Sequence, residues 1–201
     1  MAAAAGLFTT LGYTATSTTM IAAAVGLRQP SLYYYFPTKE SILSRLLGYS
    51  WRPGLACARA LRTSGAGPDA RLFALLAVDV ESLRRLPWSL GALYYLPDAH
   101  AAPFAEMWRE RDELRDEYAV LVGDGARDGV FQVDDPAFAT DLVFRVTESI
   151  AQTHGEAHGR DPERFAVDTA QHCLRLLAAR DPEGARATGL ALRASLKATK
   201  K

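Results

Sequence analysis

The amino-acid sequence predicts an all-α protein with a small N-terminal head, a linking helix and a larger helical body. Apolar residues make up 49% of the 201 residues. They recur at the three- and four-residue spacing of amphipathic helices, and no stretch alternates with the period of a half-buried strand. Asp-Pro pairs at 135–136, 161–162 and 181–182 each predict a helix start, because Asp caps free N–H groups and Pro fits the first turn.

The head is predicted to contain three short helices joined by tight turns. Ser17 or Thr18 can cap the second helix, and Gly26 suits the turn after it, because a residue without Cβ adopts a positive φ at little cost. Pro30 fits the first turn of the third helix, where its missing N–H would be unpaired in any case. The spacing is that of a helix-turn-helix.

The crossing of the second and third helices needs a small residue at its closest point. Ala22, four residues before the turn glycine, meets that need. The apolar residues expected to hold the crossing are Ile21, Val25, Leu27 and Leu32. An ordinary corner between two helices could show the same set, so these residues predict geometry and not function.

Three consecutive tyrosines, at positions 33–35, follow the turn. Successive helical residues point 100° apart, so the three rings cannot all face a core. If Leu32 and Phe36 point inward, Tyr33 and Tyr34 are expected to be at least partly exposed. Arg28 and Gln29 precede them. Arg and Gln side chains can pair with base edges, and hydroxyls can bond to phosphate oxygens. The third helix therefore has the composition of a reader of the major groove.

The linking helix is predicted to begin at a Thr38 cap, with Lys39 in its first turn. A lysine there opposes the helix dipole, whereas a DNA phosphate at the same N-terminus would make it part of an anion site. Residues 1–52 carry a formal charge of +3 and residues 53–201 one of −3, which suits a head that binds a polyanion. The break Arg52-Pro53-Gly54 is the expected domain boundary.

The stretch from Gly12 to Leu43 strongly resembles the DNA-binding domain of tetracycline-repressor (TetR) family regulators, specifically over roughly residues 3–50. The resemblance implies a homodimer whose head binds a palindromic operator in double-stranded DNA. It also implies a C-terminal ligand-binding and dimerisation domain, in which a small-molecule effector binds and releases the DNA. The helices that begin at Pro136 and Pro162 correspond by position to the family's dimer interface.

Carried over residue by residue, the resemblance places backbone-phosphate contacts at Thr18, Tyr33 and Lys39. Contacts with bases or sugar edges fall on Arg28, Gln29, Pro30, Ser31 and Tyr34. Arg28 departs from the family pattern, which usually has a capping Ser there. The change loses a cap worth about 1 kcal/mol and supplies a possible guanine reader.

The body contains aromatic residues that either pack in its core or line an effector pocket. The candidate pocket residues are Trp88, Tyr94, Phe104, Trp108, Tyr118 and Phe144. The charged run at 109–117 predicts a solvated helix face with pairs four residues apart, with the alternative that a few of its members turn inward to bind a polar ligand. The stretch from Pro182 to Lys201 is compatible with a frayed helix or a tail.

Other classes of function have less support. His154 and His158 stand four apart beside glycines, without an evident third ligand, so no metal or cofactor is expected. No nucleophile–base pair or phosphate loop indicates an enzyme, and Cys57 and Cys173 predict buried thiols. No apolar window approaches the ~18 residues of a membrane span, so a cytoplasmic protein is expected. A short first helix motivates one alternative, a helical ligand-binding or interaction protein with an impaired head.

Overall fold

A computed structural model describes residues 1–86, 88, 91–94, 102–152 and 159–198. Every regular element in these ranges is helical, which confirms the all-α prediction. The elements in chain order are α1 (Ala2–Leu11), α2 (Thr18–Ala24), α3 (Gln29–Tyr35), α4 (Lys39–Gly48), α5 (Arg52–Leu61), α6 (Pro68–Arg84), α7 (Gly91–Tyr94), a 3-10 turn (Ala102–Phe104), α8 (Ala105–Arg127), α9 (Pro136–Gln152), α10 (Pro162–Leu176) and α11 (Pro182–Ala198). His154 and His158 lie outside the described residues.

Side-chain caps begin several helices where the sequence predicts them. Ser17 Oγ accepts from the third backbone N–H of α2 at 3.2 Å, and Thr38 and Ser41 form a reciprocal capping box at α4. All three Asp-Pro predictions are confirmed. Asp135, Asp161 and Asp181 each accept from a backbone N–H three residues later, at 3.0, 2.9 and 2.9 Å.

The junction between α4 and α5 differs from the prediction. α4 ends at Gly48, and the segment Arg52-Pro53-Gly54 begins α5 instead of breaking a helix. Pro is found in the first turn of a helix and also just after the end of one. Pro53 alone therefore could not show whether a helix ends or begins at this segment. Gly54 allows a close approach of α5 to α6, since an added Cβ would lie 2.7 Å from Asp79 Oδ1.

The body is built around α6, which contacts α5, α8, α9, α10 and α11. Twelve of its residues are buried, on nearly every side, as expected for a helix at the centre of a bundle. The stretch after Pro182 proves to be a packed helix, α11. Its Arg193 is buried against α6 and pairs with Glu81 at 2.6 Å and Glu163 at 3.1 Å.

The charged face of α8 does not consist of pairs four residues apart within the helix. Its residues instead pair with α5, with the residue that follows α5 and with α9, because these helices pack alongside it. The pairs are Arg52–Glu110 at 2.9 Å, Arg59–Glu113 at 2.6 Å, Arg62–Glu117, Arg111–Glu148 and Arg115–Asp141 at 2.6 Å. The prediction of a solvated helix face was therefore wrong for the partly buried Arg111 and the buried Glu117.

Cys57 and Cys173 are both buried and form no disulfide with each other, which confirms the prediction of buried thiols. Within the described ranges, no three His, Cys, Asp or Glu side chains cluster closely enough to hold a metal ion. Among the helices of those same ranges, none is both long and apolar enough to cross a bilayer.

Candidate nucleic-acid interface

Fewer residues are buried in the crossing of α2 and α3 than the sequence predicts. Ile21, Ala22 and Leu32 are buried at 3%, 1% and 5% exposure, which confirms their expected place in the crossing. Val25 and Leu27 are 47% and 43% exposed, so the prediction was wrong for both. The reason is local, because α2 ends at Ala24 and the two residues lie in the turn around Gly26, whose φ is +69°.

The three tyrosines that follow the turn are exposed, as the helical geometry requires. Tyr33, Tyr34 and Tyr35 expose 43%, 85% and 67% of their surface. The Tyr34 and Tyr35 rings stack edge to face with centroids 5.1 Å apart. Arg28 is also exposed, at the N-cap of α3, and makes no ion pair or hydrogen bond through its side chain with any residue that the structure describes. The outer face of α3 thus presents phenols beside a guanidinium.

A polar cluster joins α2 to α3 at this face. Gln29 Nε2 donates to Thr18 Oγ1 at 3.0 Å and to Tyr33 Oη at 3.3 Å, and the two hydroxyl oxygens lie 3.2 Å apart. We name Thr18, Gln29 and Tyr33 the hydroxyl clamp. Pro30 and Ser31 are exposed on the first turn of α3, next to the clamp. The structure therefore brings together seven of the eight residues expected to contact DNA.

Lys39, the eighth, lies apart from that group and points back into the head. Its Nζ donates to the carbonyl oxygens of Tyr13 at 2.8 Å, Thr16 at 3.0 Å and Thr14 at 3.4 Å. It also lies 4.3 Å from the centre of the Tyr13 ring. Lys39 thus stabilises the turn before α2, and its contact with phosphate stays a prediction.

Tyr13 is a residue that the sequence reasoning missed. Its hydroxyl donates to Glu40 Oε1 at 3.1 Å, and its ring packs against Phe8 and against Phe104 of the body. Hydrogen bonding from the backbone N–H of Glu40, with Tyr13 adding to it, lowers the pKa of the Glu40 carboxyl. The available signal was a large aromatic placed directly after the glycine that ends α1.

The six candidate pocket aromatics fall into separate groups. Phe104, Tyr118 and Phe144 are buried, whereas Trp88, Tyr94 and Trp108 are partly buried. The ring pairs that contain them are Tyr49–Trp88, Trp51–Tyr94, Trp51–Trp108, Tyr94–Trp108, Tyr13–Phe104 and Tyr118–Phe144. Each of the six rings takes part in at least one of these pairs, so all of them serve packing in the part of the chain that the structure describes.

A small cavity lies where the residues that follow α4 meet α6, α7, α8 and α9, and both polar and apolar side chains line it. It measures about 10 Å³, room for one water at most. Of the six candidate aromatics, only Tyr94 and Phe144 line it. Its polar lining residues are Ser50, Asp79, Tyr94, Arg111, Thr147 and Glu148. The interior of the body is therefore more polar at this point than the aromatic prediction implies.

Asp79, which lines this cavity, is a buried carboxyl group with incomplete hydrogen bonding. Tyr118 Oη donates to its Oδ2 at 2.9 Å, while Oδ1 has no hydrogen-bond partner among the described residues. Burial raises the pKa of Asp79 to about 7, opposed by the Tyr118 hydrogen bond and reinforced by the charge of Glu148. The carboxyl group can therefore change its charge near neutral pH.

Direct contacts couple the end of α4 to this cavity. Ser50 Oγ lies 3.0 Å from Tyr94 Oη. Trp51 is buried and donates from Nε1 to Glu110 Oε2 at 3.4 Å, and Arg52 Nε donates to the same oxygen at 2.9 Å. A movement of α7 or α8 would therefore move the residues that follow α4.

Comparison with known proteins agrees with this arrangement. A family model of bacterial regulatory proteins, tetR family, matches residues 1–46. Among solved structures, AmtR of Mycobacterium smegmatis is 36% identical, with 94% of this chain and 91% of that one covered and a TM-score of 0.79. No curated protein matches the sequence.

Two further solved structures share the fold at lower identity. A regulatory protein of the tetR family from Rhodococcus RHA1 is 23% identical, with 90% of this chain and 95% of that one covered and a TM-score of 0.75. PfmR, a TetR-family transcriptional regulator from Thermus thermophilus, is also 23% identical, with 86% and 94% covered and a TM-score of 0.71.

Proposed function

The chain belongs to the TetR family and is a DNA-binding transcriptional regulator, and we propose that it represses from a palindromic operator that it binds as a homodimer in the cytoplasm. A small effector binding in residues 53–201 would release residues 1–52 from the DNA. The observation that carries this proposal is the outer face of α3, where Arg28 and Tyr34 are exposed beside the hydroxyl clamp.

The proposed DNA contacts divide by chemistry. Hydroxyl and ammonium groups suit phosphate oxygens, whereas a guanidinium and a phenol at the outer face of α3 can reach base edges. The proposed interface consists of Thr18, Arg28, Gln29, Pro30, Ser31, Tyr33, Tyr34 and Lys39. Lys39 would reach phosphate only by leaving some of its carbonyl partners, so its contribution to affinity is expected to be smaller than that of Arg28.

The proposed dimer interface is the outer face of α9 and α10. Phe138 and Leu142, one turn apart on α9, are 61% and 40% exposed, and Leu176 on α10 is 54% exposed. A second copy of this chain would remove these apolar groups from water and form a four-helix contact. The double change Phe138→Asp and Leu142→Asp should yield monomers in analytical ultracentrifugation, and a dimer that survives it would place the interface elsewhere.

The proposed effector site is the small cavity that Ser50 and Trp51 help to line. Its present volume cannot hold an effector, so binding must move the helices that surround it. Because Ser50 contacts Tyr94 and Trp51 contacts Glu110, that movement would reach α4 and change the separation of the two α3 helices. By linkage, operator and effector must weaken each other's binding by the same factor.

Salt-dependent fluorescence anisotropy tests the proposal. Affinity for operator DNA should fall steeply with salt, since each neutralised phosphate releases counterions. Arg28→Ala should weaken specific binding strongly, while the control Arg186→Ala, at a partly exposed position of α11, should not. If Lys39 contacts phosphate, Lys39→Ala should reduce the salt slope by about one unit per protomer. Binding to no duplex would contradict the proposal and favour the alternative of an impaired head.

A further inference from the structure

The hydroxyl clamp limits what Gln29 can do in a DNA complex. A glutamine amide has two N–H donors, and in the clamp they face the hydroxyl oxygens of Thr18 and Tyr33. Those two oxygens also share one hydrogen atom between them. One hydroxyl proton therefore remains for an outside acceptor, and Gln29 keeps only its Oε1 acceptor.

Sequence reading by glutamine has different requirements. Bidentate recognition of adenine uses the amide donor and the amide oxygen of one side chain together. In the clamp the donor is already engaged, so reading a base would break two hydrogen bonds of the clamp. The remaining hydroxyl proton suits a phosphate oxygen, and such contacts position a protein on the duplex without reading its sequence.

The location of the clamp agrees with contact to the DNA backbone. Thr18 is the first residue of α2 and Gln29 the first of α3, while Tyr33 follows Gln29 by one turn. Both helices therefore begin at the clamp. Thr18 and Gln29 are partly buried, so the clamp is held in place before DNA arrives.

We propose that Gln29 is a positioning residue that orients the Thr18 and Tyr33 hydroxyls toward one DNA strand and does not read a base. Base reading then falls to Arg28 and Tyr34, whose side chains are exposed on α3. This inference rests on the proposed function and revises the expectation that Gln29 faces a base.

Affinities on a panel of operators separate positioning from reading. Anisotropy would be measured on the operator that the wild type prefers and on every single-base-pair variant of it. Gln29→Ala should weaken binding by about tenfold on every duplex, since it removes two hydrogen bonds, and should leave the ratios between duplexes unchanged. The matched change Arg28→Ala, on the adjacent residue, should make the affinities for operators that differ at one base pair of each half-site nearly equal. Loss of a base preference at any operator position in Gln29→Ala would overturn the assignment.

Gln29→Glu provides an independent test with a different signature. The carboxylate would accept the protons of both hydroxyls, leave none for phosphate and add a negative charge beside the DNA backbone. Affinity should therefore fall further than in Gln29→Ala, again equally on every duplex. A new preference for cytosine, whose amino group a glutamate accepts, would show that position 29 faces a base and would overturn the assignment.

Thr18→Val tests whether the clamp acts as a unit. Combined with Gln29→Ala, it should weaken binding little more than the stronger single change, because either change already breaks the clamp. Fully additive losses would contradict a shared role, provided that circular dichroism shows equal thermal unfolding of all variants. A wild type that binds no duplex would contradict the proposed function as well, whereas altered base preference in Gln29→Ala contradicts only the role of Gln29.

Discussion

Replacing Asp79 by Asn should reverse the sign of its effect on folding stability between acidic and mildly alkaline pH. Burial raises the pKa of Asp79 from its ordinary 3.8 to about 7. Between these values the folded state binds more protons than the unfolded state, so the free energy of unfolding falls as pH rises. Across the whole window the loss amounts to about 4 kcal/mol. Tyr118 and Arg111 of α8, Glu148 of α9 and Tyr94 of α7 also face this region.

The Asp79→Asn variant cannot ionise, so its stability lacks this dependence. Its amide can still accept from Tyr118, but its N–H groups would lie beside Gly54, where the carboxylate Oδ1 has no hydrogen-bond partner among the described residues. Those unpaired donors should cost about 1–2 kcal/mol at every pH. The variant should therefore be less stable than wild type near pH 3.5, where the wild-type loss has hardly begun, and more stable by about 2–3 kcal/mol near pH 8.

Urea unfolding followed by circular dichroism, at one protein concentration because dimerisation contributes to stability, measures this difference. Asp116→Asn, at an exposed position of α8, is the control and should give the wild-type pH profile. An equal stability difference between Asp79→Asn and wild type at both pH values would refute the argument from burial.

Further substitutions test how the helices pack. Gly189→Ala should lower the free energy of unfolding by about 1–3 kcal/mol, because its Cβ would meet the Phe73 side chain at 2.6 Å. Gly123→Ala, with nothing within 4 Å, should instead stabilise α8 by up to about 1 kcal/mol in the same urea titrations. Arg193→Met should destabilise by about 1–3 kcal/mol in urea, since the Glu81 carboxylate loses its buried partner and keeps the more exposed Arg85 and Lys197, whereas Arg186→Met should have little effect. Lys39→Met should lower stability by about 1 kcal/mol through the lost carbonyl contacts. Unchanged stability in Lys39→Met, with weaker DNA binding, would show that the lysine contacts phosphate and does not stabilise the fold.

Local signals in the sequence located most helix starts but not all junctions. The Asp-Pro pairs predict helix starts correctly because the cap and the first turn are formed by adjacent residues. Such a start does not depend on which other helices lie nearby. The segment Arg52-Pro53-Gly54 has two valid local interpretations, and only the approach of α5 to α6 at Gly54 decides between them. The cross-helix partners of α8, such as Glu148 for Arg111, likewise depend on which helices lie side by side.

In the candidate site, too, some features follow from local sequence signals and others depend on how the helices pack. The exposure of Tyr33 and Tyr34 follows from helical geometry alone, and the structure agrees. The clamp could not be predicted, because two of its three hydrogen bonds join Thr18 to α3 and depend on the crossing of α2 and α3. Asp79 did leave a signal, since it is the single acid within the apolar run at 72–80 of a helix that is buried on nearly every side.

The most direct test of the central claim is selection of binding sites from random duplex DNA by the wild-type protein. A homodimer with two exposed α3 helices should enrich a palindrome whose half-site centres lie about one helical turn, roughly 34 Å, or a small multiple of it apart. Selection repeated with candidate effectors should lose this enrichment for one of them. Enrichment of single, unpaired half-sites, or of no sequence at all, would contradict the assignment of this chain as a dimeric operator-binding regulator.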